Sequence, residues 1–281
     1  MKALSALLIL AVSLPAWSKD YKKTEDIINI ILGEKEKAEE KQAGPPEEKK
    51  PGADKKKAGK EASKPSAEDP AQILVKNGIR LYNSGLYDGS LASFQEVVNN
   101  HPDSPLKDQA RIWSGKIQIR QYKYDEAISS FSAVPADSGE YPAAIFHSAE
   151  SYAYKREMIK AAELYQRVAA QFPEHDQADN ALFRAGSIYL EEKRVNQALE
   201  NTVRLIRFYR DRETIDDAYY LLGKIFEKDQ ELMDLETSRK VYRLFLKKAS
   251  AGESHFGNSP LRDRVKSDLE RIEKTYLMME E

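Results

Sequence analysis

The chain contains no cysteine. That excludes disulfides, thiolate metal sites, cysteine nucleophiles and lipid attachment through cysteine. Histidine is scarce, with His101, His147, His175 and His255 the only four. No two stand at zinc-ligand spacing, and each reads as a capping or surface group. No strand–glycine-loop–helix unit or nucleophile elbow is present. An excess of one charge is also missing: the net charge is -2 over 281 residues, 32% of them charged. A nucleic-acid binder would carry a basic bias. Carboxylates are plentiful but sit among lysines and arginines, as at Glu191, Glu192 and Lys193. Nothing singles out a pair whose surroundings would drive their pKa values apart. These absences point away from an enzyme, a metal site, a cofactor or a small-molecule substrate.

Long apolar runs are absent outside the start of the chain. Lys2 supplies a positive charge, Ala3 to Leu14 an apolar stretch, and Ala16-Trp17-Ser18 a small-x-small pattern before Lys19. This is the arrangement of an export signal spanning residues 1–18. A membrane-spanning helix needs about 20 apolar residues, and the run ends at Trp17. The expectation is cleavage rather than retention as an anchor. An exported, cysteine-free, helical protein fits a bacterial periplasm better than a disulfide-dependent extracellular setting. Without a cysteine after the signal, it is not a lipoprotein.

Residues 19–40 carry a short amphipathic pattern in which Tyr21, Thr24, Ile28, Ile31 and Lys35 share a face, widened by Ile27 and Leu32. Ile27, Ile28, Ile31 and Leu32 suit either a helix docked on its own chain or a recruiting helix that binds a second partner or self-associates. From Gly33 to Gln72 there is no Val, Ile, Leu, Met, Phe, Tyr or Trp. Without apolar payload such a segment cannot offset its ordering entropy, so residues 41–69 read as a disordered Lys/Glu/Pro/Ala-rich linker. Its cluster from Lys49 to Lys60 reads as solvated linker, with weak contact to anionic lipid or cell-wall polymer as the alternative.

Residues 70–281 hold a repeat. Small residues at Gly78, Gly115, Ala149, Gly186 and Gly223 are spaced 37, 34, 37 and 37 residues apart. Twelve residues after each comes Ser90, Ala127, Ala161 or Ala198, and Ser238 follows with a three-residue displacement. Four further on stand Phe94, Phe131, Tyr165, Thr202 and Tyr242, then Val97, Val134, Val168, Leu205 and Phe245. Ala110, Ala144, Ala181 and Ala218 precede the small residues by five, with Ile73 in the first unit. The pattern predicts five helix pairs that cross closely at the small residues, with an aromatic wedge at each crossing except Thr202. Asp69-Pro70 opens the array as N-cap and first helical residue. Ser259-Pro260 is expected to open a closing helix with Leu261, Val265, Leu269, Ile272, Tyr276 and Met279 on its stripe.

The segment Ala149–Pro173, with Ala149, Tyr152, Ala161, Tyr165, Val168 and Pro173 in place, resembles the tetratricopeptide repeat. The junctions His101-Pro102-Asp103-Ser104-Pro105, Phe172-Pro173-Glu174-His175 and Gly257-Asn258-Ser259-Pro260-Leu261 are similar to those of exported envelope repeat proteins. The nearest types are the periplasmic Tol–Pal-associated cell-division coordinator and, less closely, the outer-membrane barrel-assembly lipoprotein. The resemblance implies an all-α superhelical stack of about five helix pairs plus a capping helix. It also implies a periplasmic scaffold that binds other envelope proteins in a concave groove. The alternative is a structural part of a barrel-assembly or motility machine using its convex face.

The family's groove positions map onto Tyr82, Asn83, Lys116, Arg120, Phe146, Glu150, Tyr154, Phe183, Glu191, Tyr220 and Lys224. Phe146, Phe183 and Tyr220 share one column, which either faces a ligand or packs on neighbouring helices. The lysine and asparagine clamp of chaperone-tail-binding members is not reproduced, so a C-terminal carboxylate ligand is not indicated.

Overall fold

A computed structural model of the chain describes residues 69–228 and 234–280. The leader, the leading helix with Ile27, Ile28, Ile31 and Leu32, and the linker lie outside the described residues. So does most of the insertion in the fifth unit.

Among the described residues there are eleven helices and no strand. They form five consecutive pairs: α1 (Pro70–Asn83) with α2 (Tyr87–Asn100), α3 (Lys107–Arg120) with α4 (Tyr124–Ser132), α5 (Tyr141–Tyr154) with α6 (Met158–Gln171), α7 (Ala178–Glu191) with α8 (Val195–Phe208), and α9 (Ile215–Lys228) with α10 (Leu235–Ser250). A lone α11 (Arg262–Glu280) follows. Each helix packs on the one before and the one after it, and the first helices α3 and α5, and α7 and α9, also touch. The architecture is a tetratricopeptide-repeat solenoid.

The small-residue column explains how the pairs close. A methyl group added at Gly78, Gly115 or Gly223 would run into the ring of Phe94, Phe131 or Tyr242. At Gly186 the neighbour is Thr202, whose Oγ1 would lie 3.0 Å from the added carbon. The displaced position Ser238 falls into register: its hydroxyl donates to the Gly223 carbonyl at 2.9 Å, as Ser90 does to Gly78 at 2.7 Å. The wedge column and the column after it are buried throughout. Each such ring contributes about 3–5 kcal/mol against truncation to alanine. The column of Ala110, Ala144, Ala181 and Ala218 is buried too, and only Ile73 is open, at 41%. No described helix precedes α1 to cover it.

Turns inside the pairs are alike. Gly85, Tyr122, Arg156 and Lys193 all adopt positive φ, and the next residue's N–H reaches back to the helix at Leu81, Gln118, Tyr152 and Tyr189 respectively. This is a left-handed helix cap, in which a non-glycine residue costs about 1 kcal/mol.

Junctions between pairs share a second geometry. Successive turn bonds run from Ser104, Ser138, His175, Arg212 and Ser259 back three residues, and from the first residue of the next helix back to each of them. In four of these junctions the side chain also accepts the N–H two residues on: Ser104 from Leu106, Ser138 from Glu140, His175 from Gln177 and Ser259 from Leu261. This corrects the expected start of the closing helix. Ser259 closes a turn and Pro260 lies within that turn, so α11 begins at Arg262, because the junction's own two turns come first. At the other end, Asp69 caps α1 through Ala71 N–H, with Pro70 first in the helix.

Candidate functional site

The register of the first helices sets the site. First-helix residues three before and one, four or five after the small column, such as Phe183, Ser187, Leu190 and Glu191 in α7 and Tyr220, Lys224 and Lys228 in α9, line an open groove. At its C-terminal end α7, α9, α11 and the turn into α8 enclose a basin of about 1010 Å³. Its apolar lining includes Phe183, Leu190 and Tyr220, with Val195 and Leu221 beside them. Its polar rim carries Lys193, Arg194, Lys228, Arg264 and Glu191.

One wall of this basin is an ion network between α9 and α11. Lys224 Nζ lies 3.0 Å from Glu227 and 3.4 Å from Asp268. Arg271 bridges the same two carboxylates at 2.6 and 3.0 Å. Tyr220 donates its hydroxyl to Asp268 at 3.1 Å, and Tyr242 reaches Glu227 at 3.3 Å. Burial pushes the Asp268 carboxyl up, but the Arg271 hydrogen bond and the Lys224 charge outweigh it and hold the group below its usual range. The Tyr220 phenol is pushed up to about 12 by burial and by Asp268, so it stays a hydrogen-bond donor.

A smaller hollow of about 340 Å³ lies at the N-terminal end. Tyr82 accepts from Arg120 at 3.2 Å, and Lys116 sits 4.3 Å over the Trp113 ring. Tyr124 stacks on Tyr154 at 5.5 Å, and Tyr122, 80% exposed, meets Tyr124 edge-on. Glu150 pairs with His147 at 2.7 Å and with Arg184 at 3.5 Å. Burial would raise the Glu150 carboxyl, but the His147 hydrogen bond together with Arg184 and Lys116 keeps it lowered.

Of the residues mapped from sequence, Phe183, Glu191, Tyr220 and Lys224 line the large basin and Tyr82, Lys116, Arg120, Glu150 and Tyr154 the small hollow. Asn83 is exposed beside Tyr82 but lines neither. Phe146 is the exception within its column. It is 4% exposed, packed edge-on against Tyr165 at 5.1 Å and covered by the Arg184 guanidinium. Its ring belongs to the core, so the aromatic column splits into one packing residue and two groove residues.

Sequence reasoning missed Tyr122, Lys193 and Arg194, which come from turns, and Tyr124, which opens the second helix α4, because none of them lies on a first helix. It also missed Arg264 and Asp268. Besides closing the stack through Val265, Leu269 and Ile272, α11 lines the basin with its adjoining face. The available signal was the junction at Ser259, which places Val265 in the column of Ala218. No metal-binding cluster of histidines or carboxylates occurs among the described residues.

A tetratricopeptide-repeat family model matches residues 75–144. Among solved structures, a tetratricopeptide repeat protein from Parabacteroides merdae is similar at 16% identity, over 73% of this chain and 74% of that one, with a TM-score of 0.55. The MamA protein is similar at 18% identity over 64% of this chain and 94% of that one, with a TM-score of 0.52. MamA from Desulfovibrio magneticus RS-1 is similar at 13% over 67% and 100%, with a TM-score of 0.52. No curated protein matches the chain. At these identities the likeness speaks for the fold. Residues 75–144 match the tetratricopeptide repeat and the chain has the fold of that repeat, which in general is a non-catalytic scaffold for protein–protein interaction.

Proposed function

We propose that the protein is an exported, periplasmic adaptor whose groove holds a segment of another envelope protein in envelope or cell-division assembly. The observation that carries this reading is the large basin, where Phe183, Leu190 and Tyr220 offer apolar surface within a polar rim. That composition, aromatic anchors ringed by charge, is what recognition of a protein segment needs. The export-type leader and the envelope-type junctions support the compartment. Capture of partners from envelope extract by wild type and by Phe183→Ala/Tyr220→Ala tests the groove. Loss of partners in the double variant is the expected result, and identical partner sets overturn the reading. For the compartment, a mature N-terminus at Lys19 in the periplasmic fraction is expected. Full-length protein in the cytoplasm contradicts it.

A second reading uses the outer surface, as a structural part of a larger barrel-assembly or motility machine. It is favoured by Phe208, 55% exposed at the end of the second helix α8 and away from the groove lining. It predicts silent groove variants and loss of assembly on Phe208→Ser.

A further inference from the structure

The chain as a whole is slightly acidic, at -2, but the C-terminal basin is not. Lys224 and Asp268 neutralise each other within the α9–α11 network. What remains on the rim is Lys193, Arg194, Lys228 and Arg264 against the single carboxylate of Glu191. All four cations are exposed. Among the described residues none of them forms an ion pair; Arg264 lies over the Tyr220 ring at 5.6 Å. They stand on three separate elements, the α7–α8 turn, the end of α9 and the first turns of α11, so they surround the apolar floor of Phe183, Leu190 and Tyr220.

We propose that this basin takes an acidic segment of a partner protein in which apolar side chains interrupt the carboxylates. The proposal rests on the groove reading above and adds the chemistry of the occupant. Like-charged side chains held around one hollow raise its potential and attract a segment of opposite sign. A plain polyanion would satisfy the cations but leave the two rings and Leu190 uncovered. An apolar peptide would cover the rings and leave the cations without counter-charges. The floor and rim together therefore select a peptide over an anionic polysaccharide or nucleic acid.

The test is fluorescence anisotropy with the full chain and three labelled probes. One is an acidic peptide alternating Glu and Asp with Phe and Leu, the second its Gln/Asn counterpart, and the third a polyglutamate of equal charge. The acidic peptide is expected to bind at least about tenfold more tightly than either companion and to weaken as salt rises. Arg194→Glu/Lys228→Glu/Arg264→Glu is expected to reduce that affinity at least about tenfold. These positions are exposed, and unchanged helical circular dichroism and melting confirm that the variant folds. Equal binding of the acidic and amide peptides overturns the proposal, as does failure of both to bind. Polyglutamate binding as tightly as the acidic peptide overturns it in favour of a polyanion site. The groove reading is judged separately: if Phe183→Ala/Tyr220→Ala abolishes partner capture while the charge-reversed triple variant does not, the groove stands and the acidic occupant falls.

Discussion

The fourth and fifth repeats are built to one plan and differ where the plan is under most strain. In the fifth, Gly223 faces the Tyr242 ring and Ser238 donates to the Gly223 carbonyl. In the fourth, Gly186 faces Thr202, whose hydroxyl turns back to Ala198 of its own helix at 2.8 Å. The fifth crossing is therefore filled by a rigid ring, and the fourth by a side chain small enough to yield. The fifth is also tied onward to α11 by the Lys224, Glu227, Asp268 and Arg271 network, and no comparable network joins the fourth to the fifth among the described residues. Two identical glycines in one column thus differ in how much they matter.

The largest effect is expected at the glycines themselves. Gly223→Ala drives a methyl into the Tyr242 ring, and overpacking of this kind costs about 3 kcal/mol. Gly186→Ala meets Thr202 Oγ1 at 3.0 Å and Leu221 Cδ2 at 3.2 Å, which can shift by tenths of an ångström. The helix propensity of alanine over glycine, about 1 kcal/mol, offsets most of that strain. Urea melts of the two variants are expected to separate by about 2–3 kcal/mol, and equal losses would erase the distinction between the crossings.

Next comes the tie to α11. Asp268→Ala leaves Lys224 without its second carboxylate and Tyr220 without an acceptor in a half-buried site. A loss of about 1–3 kcal/mol is expected. Arg167→Ala, which removes exposed hydrogen bonds to Tyr141 and Gln171 and the guanidinium's contact with the Tyr141 ring, is expected to stay within about 1 kcal/mol of wild type. Thermal melts compare the two.

A pH-dependent difference follows from the acidic starts of α7 and α9. Asp179 is bonded by Thr214 at 2.8 Å, whereas the Asp217 carboxyl is pushed up to about 6 by burial and by neighbouring Asp216. A carboxyl whose folded pKa is raised destabilises the fold once it ionises, so its contribution worsens as pH rises from about 4 to about 6. Asp217→Asn is expected to gain about 1 kcal/mol at pH 7, after allowance for partial exposure, and nothing near pH 3.5. Denaturant melts at the two pH values check this, and a gain of equal size at both would refute the cause.

The smallest effect belongs to the turn of the fourth repeat. Lys193 holds φ 59, a conformation glycine adopts freely. Lys193→Gly is expected to stabilise the fold by about 1 kcal/mol in the same melts.

Core and groove were unequally legible in the sequence. Core columns such as Phe94, Phe131, Tyr165 and Tyr242 recur at a spacing set by helix packing, so residue type and register alone reveal them. Groove positions are defined by what neighbouring repeats leave open, which no single repeat encodes. Phe146 and Phe183 occupy the same column, yet Arg184 and Tyr165 enclose only the first. Tyr122 and Arg194 reach the groove from turns, where no helical period marks them. Arg264 and Asp268 were hidden by the insertion in the fifth repeat and the longer α10, which shift α11 out of the repeat spacing seen earlier in the chain.

The most direct test places a photo-crosslinking residue at one of two positions in the cell. Leu190 lies on the groove floor, and Lys240, 56% exposed, lies on the second helix α10. The predicted result is a discrete partner adduct from Leu190, lost on Phe183→Ala, and none from Lys240. Adducts from Lys240 alone would place the partner on the outer surface and contradict groove binding.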